Sequence, residues 1–422
     1  MGSYTEKSRE ELLALKEETD RAYEEFKAKN LALDMSRGKP APSQVDCSNG
    51  MLKEMTDYHT EGGVDVRNYG ILDGIPEIKK LFSDLLDIPK ERIIIGGNAS
   101  LNLMFDAMMR LYVFGTMGEK PWGQLEKVKF LCPAPGYDRH FTISETLGME
   151  MIPIEMTSDG PNMDQVEKLA AEDEAVKGIW CVPKFSNPQG ICYSDETVNR
   201  LASMKTAAKD FKIFWDNAYG VHPVFEDVEV KNILDACEEA GTKNRPYYFF
   251  STSKISFPGA GVSLVAASDE NIAEIKKIMN AQTIGYDKIN QLRHVQFFKD
   301  AQGLRRHMQV LADCMKPKFE IVLNTLEKEL GGSGLISWEN PKGGYFVSVD
   351  VMPGCAKEVV RLAKEAGVVL TGAGATYPYK KDPKDANLRI APTYPTVEEL
   401  QQAMDLFCIC VKKAGIEKML QD

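Results

Sequence analysis

The chain has 422 residues, 43% of them hydrophobic and 27% charged, and its 51 Lys and Arg against 62 Asp and Glu leave a formal net charge of −11. That length calls for two or more domains or one large α/β unit, and the apolar content excludes a disordered chain. The acidic balance argues against a general binder of nucleic-acid backbone, and no run of about 18 uncharged apolar residues is available to span a membrane.

The opening segment, MGSYTEKSREELLALKEE, lacks an apolar stretch and does not read as a signal peptide. Residues 8–29 are rich in Glu, Lys, Leu and Ala behind a Ser at the N-cap position, which predicts a solvated surface helix. SRGKPAPSQ, at 36–44, carries a Gly and two Pro and predicts a loop. From about residue 90, apolar runs at 93–95, 128–132, 151–154, 179–182, 213–215, 247–250 and 262–267 alternate with amphipathic stretches. This alternation predicts α/β architecture with a mainly parallel sheet buried on both faces. After about residue 305 the texture changes. QVLADCMKPKFEIVLNTLEKEL predicts a long helix kinked or broken at Pro317. GGYFVSVDV and NLRIAP read as strands, and AKEVVRLAKEAG and VEELQQAMDLFCICVKKAG as helices. Together they predict a smaller α+β unit on which the N-terminal helix packs.

The nine cysteines form no C-x-x-C pair and several sit in apolar runs, so reduced thiols and a cytoplasmic location are expected. The five histidines lack metal-ligand spacing, and no metal site is expected.

The chemistry lies in the polar segments directly after the apolar runs: GGNASL, PAPGYDRH, PKFSNPQG, DNAYG and STSK. In open parallel sheets, ligands bind beyond the carboxyl ends of the strands. Asn98, Ala99 and Ser100 open a helix, where free N–H groups bind an anion; the plain reading is a strand–helix turn. Asp216 ends a buried run and needs a cation or hydrogen-bond donors, or else caps a helix; Tyr219 faces the same ligand. Lys254 comes after a buried aromatic run. Desolvated, it is a Schiff-base amine; otherwise it snorkels at a strand end. Arg389 alternates with Leu388 and Ile390 and clamps a carboxylate if it faces inward, or is solvated if it does not. Tyr137 suits a stacked ring, with His140 beside it as a partner or a structural histidine. Together these groups ask for a phosphate, a flat ring, a basic ring nitrogen and an aldehyde. Pyridoxal 5′-phosphate (PLP) has all four.

RGKP, NYGILDGIPEIKKLF, GGNAS, PAPGYDRHF, SNPQG, DNAYG, STSK, KGGYF and NLRIAP occur in one order along the chain. In that order and with that spacing the chain resembles a fold-type I PLP-dependent aminotransferase over nearly its whole length. In detail it resembles the divergent aspartate aminotransferase branch related to the aminotransferase half of MocR-type regulators. The resemblance implies a large PLP-binding domain over 56–308 with a mainly parallel central sheet, and a small α+β domain formed by 1–55 and 309–422. It implies that Lys254 carries PLP as an imine and that Asp216 keeps the ring nitrogen protonated. Asn187 and Tyr219 would bind the phenolic oxygen, Tyr137 would stack on the ring and His140 would orient Asp216. Ser251, Ser253 and residues 98–100 would take the phosphate, with Tyr69 reaching the phosphate of a neighbouring subunit in a homodimer with shared sites. Arg389, helped by Gly38, would hold the substrate α-carboxylate.

The family usually places an Arg for the phosphate seven or eight residues after the Schiff-base Lys. Gly261 and Val262 stand there, so another cation is expected. A dicarboxylic substrate needs a second cation near the ring; Arg139 is the first candidate and Arg37 the second, against the plain reading of a loop-surface Arg. The expected reaction is ping-pong transfer of the amino group of aspartate, or a similar amino acid, to 2-oxoglutarate. Aromatic or neutral amino acids, or β-elimination, are alternatives on the same fold. A PLP-binding transcriptional regulator is a third reading, disfavoured by the acidic charge and by the roughly 30 residues before SRGKP, too few for a winged helix-turn-helix domain.

Overall fold

The structure, a computed structural model, describes residues 3–421; residues 1, 2 and 422, assigned above to the small domain, lie outside the described residues. Each of the seven apolar runs forms a strand of one eight-stranded sheet. Its order is Ile93–Ile95, Ser263–Ala266, Pro246–Ser251, Lys212–Asp216, Val176–Cys181, Lys129–Ala134, Glu150–Thr157 and Gly160–Pro161. The five strands from Pro246–Ser251 to Glu150–Thr157 are parallel. Ser263–Ala266 runs antiparallel to both of its neighbours, so Ile93–Ile95 points the same way as the parallel set. The polar segments after 93–95, 129–134, 176–181, 212–216 and 246–251 therefore all emerge at one edge.

The unbroken apolar runs have a physical cause. Successive strand residues face opposite sides, and both sides of this sheet are covered. Ile213, Trp215, Tyr248 and Phe250 join one core with the helices Pro76–Leu86 and Asp195–Ser203. Phe214, Tyr247 and Phe249 join a second on the other face, with Leu103, Met104 and Met108 of the helix Ser100–Phe114.

A further core gathers both ends of the chain. It holds a three-stranded antiparallel sheet, Ile336–Trp338, Val347–Val351 and Asn387–Ile390, with the helices Ala356–Glu365 and Val397–Gln421. The helix Arg9–Lys27 starts in a capping box: the Ser8 hydroxyl accepts from Glu11 N–H at 3.2 Å, and the Glu11 carboxylate accepts from Ser8 N–H at 2.7 Å. It is mostly solvated, as its composition predicts, but Leu12, Thr19 and Tyr23 are buried. Tyr23 Oη donates to the Leu362 carbonyl at 2.9 Å, and Asp20 pairs with Lys413, so the first helix packs on elements near the chain's end.

Two expectations are adjusted. Of the kink or break expected at Pro317, the break does not occur: one helix, Ala301–Leu330, contains Pro317. A mid-helix Pro costs about 3 kcal/mol. Here Leu304, Met308 and Leu311 are buried in one core and Met315, Phe319 and Val322 in another, and at about 1.5–3 kcal/mol per buried side chain this anchorage offsets the loss. The expected loop at 36–44 ends early, because Pro42 opens a helix, Pro42–Asp46, at a position where its missing N–H costs nothing. Cys47, Cys132, Cys181, Cys192, Cys237, Cys314, Cys408 and Cys410 are free thiols. Among the described residues, no helix is long and apolar enough to cross a membrane.

Candidate active site

Asp216 is the last residue of Lys212–Asp216 and is 2% exposed. One carboxylate oxygen, Oδ2, lies 3.0 Å from His140 Nε2. A carboxylate only accepts, so the histidine nitrogen donates. The imidazole is stacked on Trp180 at 4.4 Å between centroids and 7° between planes, and Trp180 Nε1 donates to Ser144 Oγ at 3.0 Å. The other oxygen, Oδ1, is buried and has no hydrogen-bond partner. Leaving a buried carboxylate oxygen unsatisfied is expensive, and a cationic N–H donor on a bound ring removes that cost.

Asp216 lines a cavity of about 180 Å³ together with Ala99, Ser100, Leu101, Met104, Tyr137, Val182, Asn187, Ala218, Tyr219, Ser251, Ser253 and Lys254. The sheet edge thus brings together nine of the residues singled out in the sequence. Lys254 Nζ lies 4.9 Å from the Tyr219 ring centroid and 6.0 Å from that of Tyr345. Burial lowers the pKa of its ammonium; Asp216 pulls the other way and Arg389 adds to the lowering. A larger neutral fraction makes the amine a better nucleophile. Burial raises the Tyr219 phenol well above its ordinary pKa and pushes Tyr137 up to about 12, so both remain O–H donors at neutral pH.

The anion cup forms where the helix Ser100–Phe114 begins. Its N-cap, Ala99, supplies no side-chain cap; Asn102 N–H bonds the Ala99 carbonyl at 3.2 Å, and the Ser100 and Leu101 N–H groups are left for a ligand. Ser251 Oγ donates to Ser253 Oγ at 3.1 Å, and Ser253 Oγ donates to the Asn98 carbonyl at 3.2 Å, tying the two turns together. The Asn98 side chain turns away and donates to the Pro258 carbonyl at 3.4 Å. The missing Arg has a steric reason: a Cβ on Gly261 would sit 2.8 Å from the Asn98 carbonyl oxygen and 3.3 Å from Ser253 N. Val262 is buried. Among the described residues, Lys254 is the one cation lining the cavity.

Arg389 faces inward and is 8% exposed. Its Nη1 donates to Asn187 Oδ1 at 3.1 Å and lies 3.4 Å from Asp138 Oδ1, while its Nε is buried without a partner. That unpaired N–H suits a carboxylate. The guanidinium lies over the Phe346 ring, 4.7 Å from its centroid. Gly38 enters through the same ring: a Cβ there would fall 2.5 Å from Phe346 Cε1 and closer still to Cζ.

The remaining candidates are not brought into the cavity. Tyr69 is 82% exposed and does not line the cavity of its own chain. Arg139 and Arg37 are both exposed, and neither lines the cavity. Sequence reasoning passed over Asp138, Trp180 and Phe346. Asp138 and Phe346 lie inside the motifs PAPGYDRHF and KGGYF, but only their contacts mark them out. Trp180 is hidden in an apolar run. Among the described residues, no cluster of His, Cys, Asp and Glu is suited to a metal ion.

A family model described as aspartate amino-transferase matches residues 7–422. The aspartate aminotransferase of Corynebacterium glutamicum is 46% identical over 405 residues, covering 95% of this chain and 94% of that protein. The crystal structure of an aspartate transaminase from the same species superposes with a TM-score of 0.96 at 45% identity, covering 99% of each chain. LysN, an α-aminoadipate aminotransferase of Thermus thermophilus solved with N-(5′-phosphopyridoxyl)-L-leucine, shares the fold at 19% identity with a TM-score of 0.73, over 95% of each chain.

Proposed function

Because the chain belongs to the aspartate amino-transferase family and is an aminotransferase of the α/β fold-type I class, we propose that it uses PLP to move the amino group of aspartate, or a similar amino acid, to 2-oxoglutarate. The observation that carries the cofactor assignment is the unpaired Asp216 Oδ1 in a cavity that also holds the half-buried amine of Lys254. A protonated pyridine nitrogen satisfies the first, and an aldehyde meets the second.

In this reading Lys254 binds the aldehyde carbon and Asp216 the ring nitrogen. Tyr137 covers the ring, and Asn187 and Tyr219 donate to the phenolic oxygen. Asn187 is suited to this because Arg389 already occupies its Oδ1, leaving its NH₂ group as donor. Ser251, Ser253 and the amides of 98–100 hold the phosphate, and Arg389 holds the α-carboxylate, with Gly38 making room for the supporting Phe346. His140 positions Asp216. Bound PLP supplies an electron sink for the Cα electrons. The free Lys254 amine would take the proton from the substrate Cα and later deliver it to the carbon that receives the amino group, so one group would act first as base and then as acid. One oxo acid leaves before the second enters, which is a ping-pong order.

The two packing centres support a functional division into 56–308 and 1–55 with 309–422, although the helix Ala301–Leu330 contributes to both. The exposure of Tyr69 supports a homodimer in which this tyrosine reaches the other copy's phosphate. Nine cysteines without a C-x-x-C pair, several of them in apolar runs, support a cytoplasmic location. Arg139 remains the candidate for a side-chain carboxylate; an Arg139→Ala variant with unchanged kcat/KM for aspartate removes it.

The deciding experiment is an absorbance spectrum of the PLP-loaded protein. A visible band is expected that aspartate converts to that of the aminated cofactor and that Lys254→Ala lacks. A protein that gains no band with PLP refutes the assignment. Release of ammonia and pyruvate, with no new amino acid, shows a lyase instead.

A further inference from the structure

Among the described residues, one donor reaches the Lys254 carbonyl oxygen: the ring of His222, whose Nε2 lies 3.3 Å away. We propose that His222 is a positioning residue for Lys254, fixing the backbone from which the amine projects and tying it to the 343–345 segment of the core that also carries Arg389. This rests on the reading of Lys254 as the cofactor-bearing lysine.

The geometry argues it in three steps. A carbonyl only accepts, so Nε2 must carry the proton. The Nδ1 atom is then a bare acceptor, and it is buried with no partner. The ring is fully buried and wedged between two aromatic rings of the site. It meets Tyr219 at 5.7 Å and 83° and Tyr345 at 5.9 Å and 71°, both edge-on. Through its backbone, His222 reaches the other core. Its carbonyl accepts from Gly344 N–H at 2.9 Å, and Pro223 bridges Gly343. A Cβ on Gly343 would overlap the same carbonyl oxygen, so this close approach needs glycine. A displacement of the 343–345 segment is therefore felt at the Lys254 carbonyl through one residue.

A phenylalanine would fill the same space and leave the Lys254 oxygen without a donor. A catalytic proton shuttle is a poor alternative, because burial and the Lys254 charge push the histidine down to about 3 and keep it neutral. The charged and titratable groups facing this pair are Asp216, Arg389, Lys184, Tyr219 and Tyr345.

The test compares PLP-loaded wild-type, His222→Phe, His222→Gln and His222→Asn. The Gln amide is long enough to stand in for Nε2–H, and the Asn amide stops short. Misplacing a reacting group by about 1 Å costs on the order of 100-fold, so His222→Phe should lose about 10- to 100-fold in kcat, with KM for aspartate within about threefold. The pH midpoint of the visible band should move by about half a unit or more, since the lysine nitrogen changes its surroundings. His222→Gln should restore most of both, and His222→Asn should resemble His222→Phe. The inference is overturned if His222→Phe keeps kcat and the band midpoint while only its melting temperature falls. It is equally overturned if Asn and Gln behave alike, a comparison that stands even if His222→Phe does not fold. Absence of any band in the wild type would sink the PLP reading itself, which separates the two failures.

Discussion

Gly38→Ala is the sharpest test of how the proposed substrate-carboxylate site is built. The added methyl carbon would lie 2.5 Å from Phe346 Cε1, and closer to Cζ, where a comfortable carbon–carbon separation is about 3.5–4.0 Å. The ring must therefore retreat by about 1–1.5 Å. Phe346 is 5% exposed and has little free space, and the Arg389 guanidinium rests on its face at 4.7 Å. A shift of that size carried to Arg389 should lower kcat/KM for aspartate by about 100-fold, or about 2.7 kcal/mol in transition-state free energy. Overpacking should also cost about 1–3 kcal/mol of folding stability, seen as a lower urea midpoint. The two effects separate in a double-mutant cycle. Phe346→Leu shrinks the obstacle, so Gly38→Ala should cost much less in that background. If the two substitutions add independently, or if Gly38→Ala leaves kcat/KM within twofold of wild type, the steric link between Gly38 and Arg389 is wrong.

Three further outcomes are expected. His140→Phe keeps an aromatic ring against Trp180 but removes the donor to Asp216 Oδ2, and steady-state kinetics should show a loss of about 10- to 100-fold in kcat; a loss under twofold contradicts the positioning role. Arg389→Lys keeps the charge and loses the planar fork, so KM for both the amino acid and the oxo acid should rise by about 10- to 100-fold, the worth of one charge-assisted hydrogen bond of about 1.5–3 kcal/mol. His294 is buried neutral, its pKa depressed to about 4 by burial, with Nε2 in contact with the Ser256 and Thr252 hydroxyls at 2.8 and 3.0 Å. The unfolded chain binds this proton first, near pH 6.5, so the contribution is fully present above that value and is lost as pH falls towards 4, by roughly 3 kcal/mol in all. Urea midpoints at pH 7 and pH 5 should fall less for His294→Gln than for wild type, and parallel falls would exclude His294 as the source.

The sequence alone carried the sheet and the address of the site. A strand buried on both faces must be apolar at every position, which is why runs such as IFW and YYFF were legible without any partner in view. Polar loops directly after such runs mark the carboxyl edge, and this was enough to select Asp216, Tyr219, Lys254 and Tyr137. The capping Ser8 was legible for the same reason: its hydrogen bonds close within three residues. Only the tertiary structure decided whether Arg389 faces inward, since strand alternation leaves either face open until Ser348 pairs opposite it and Phe346 and Asn187 meet its guanidinium. It also decided which Asp216 oxygen is free, that Arg139 stays outside the cavity, and that Pro317 is tolerated. These are contacts between residues tens to hundreds of positions apart, set by sheet order and by how the cores close. Local periodicity encodes the elements, but the packing between them settles which side chains meet.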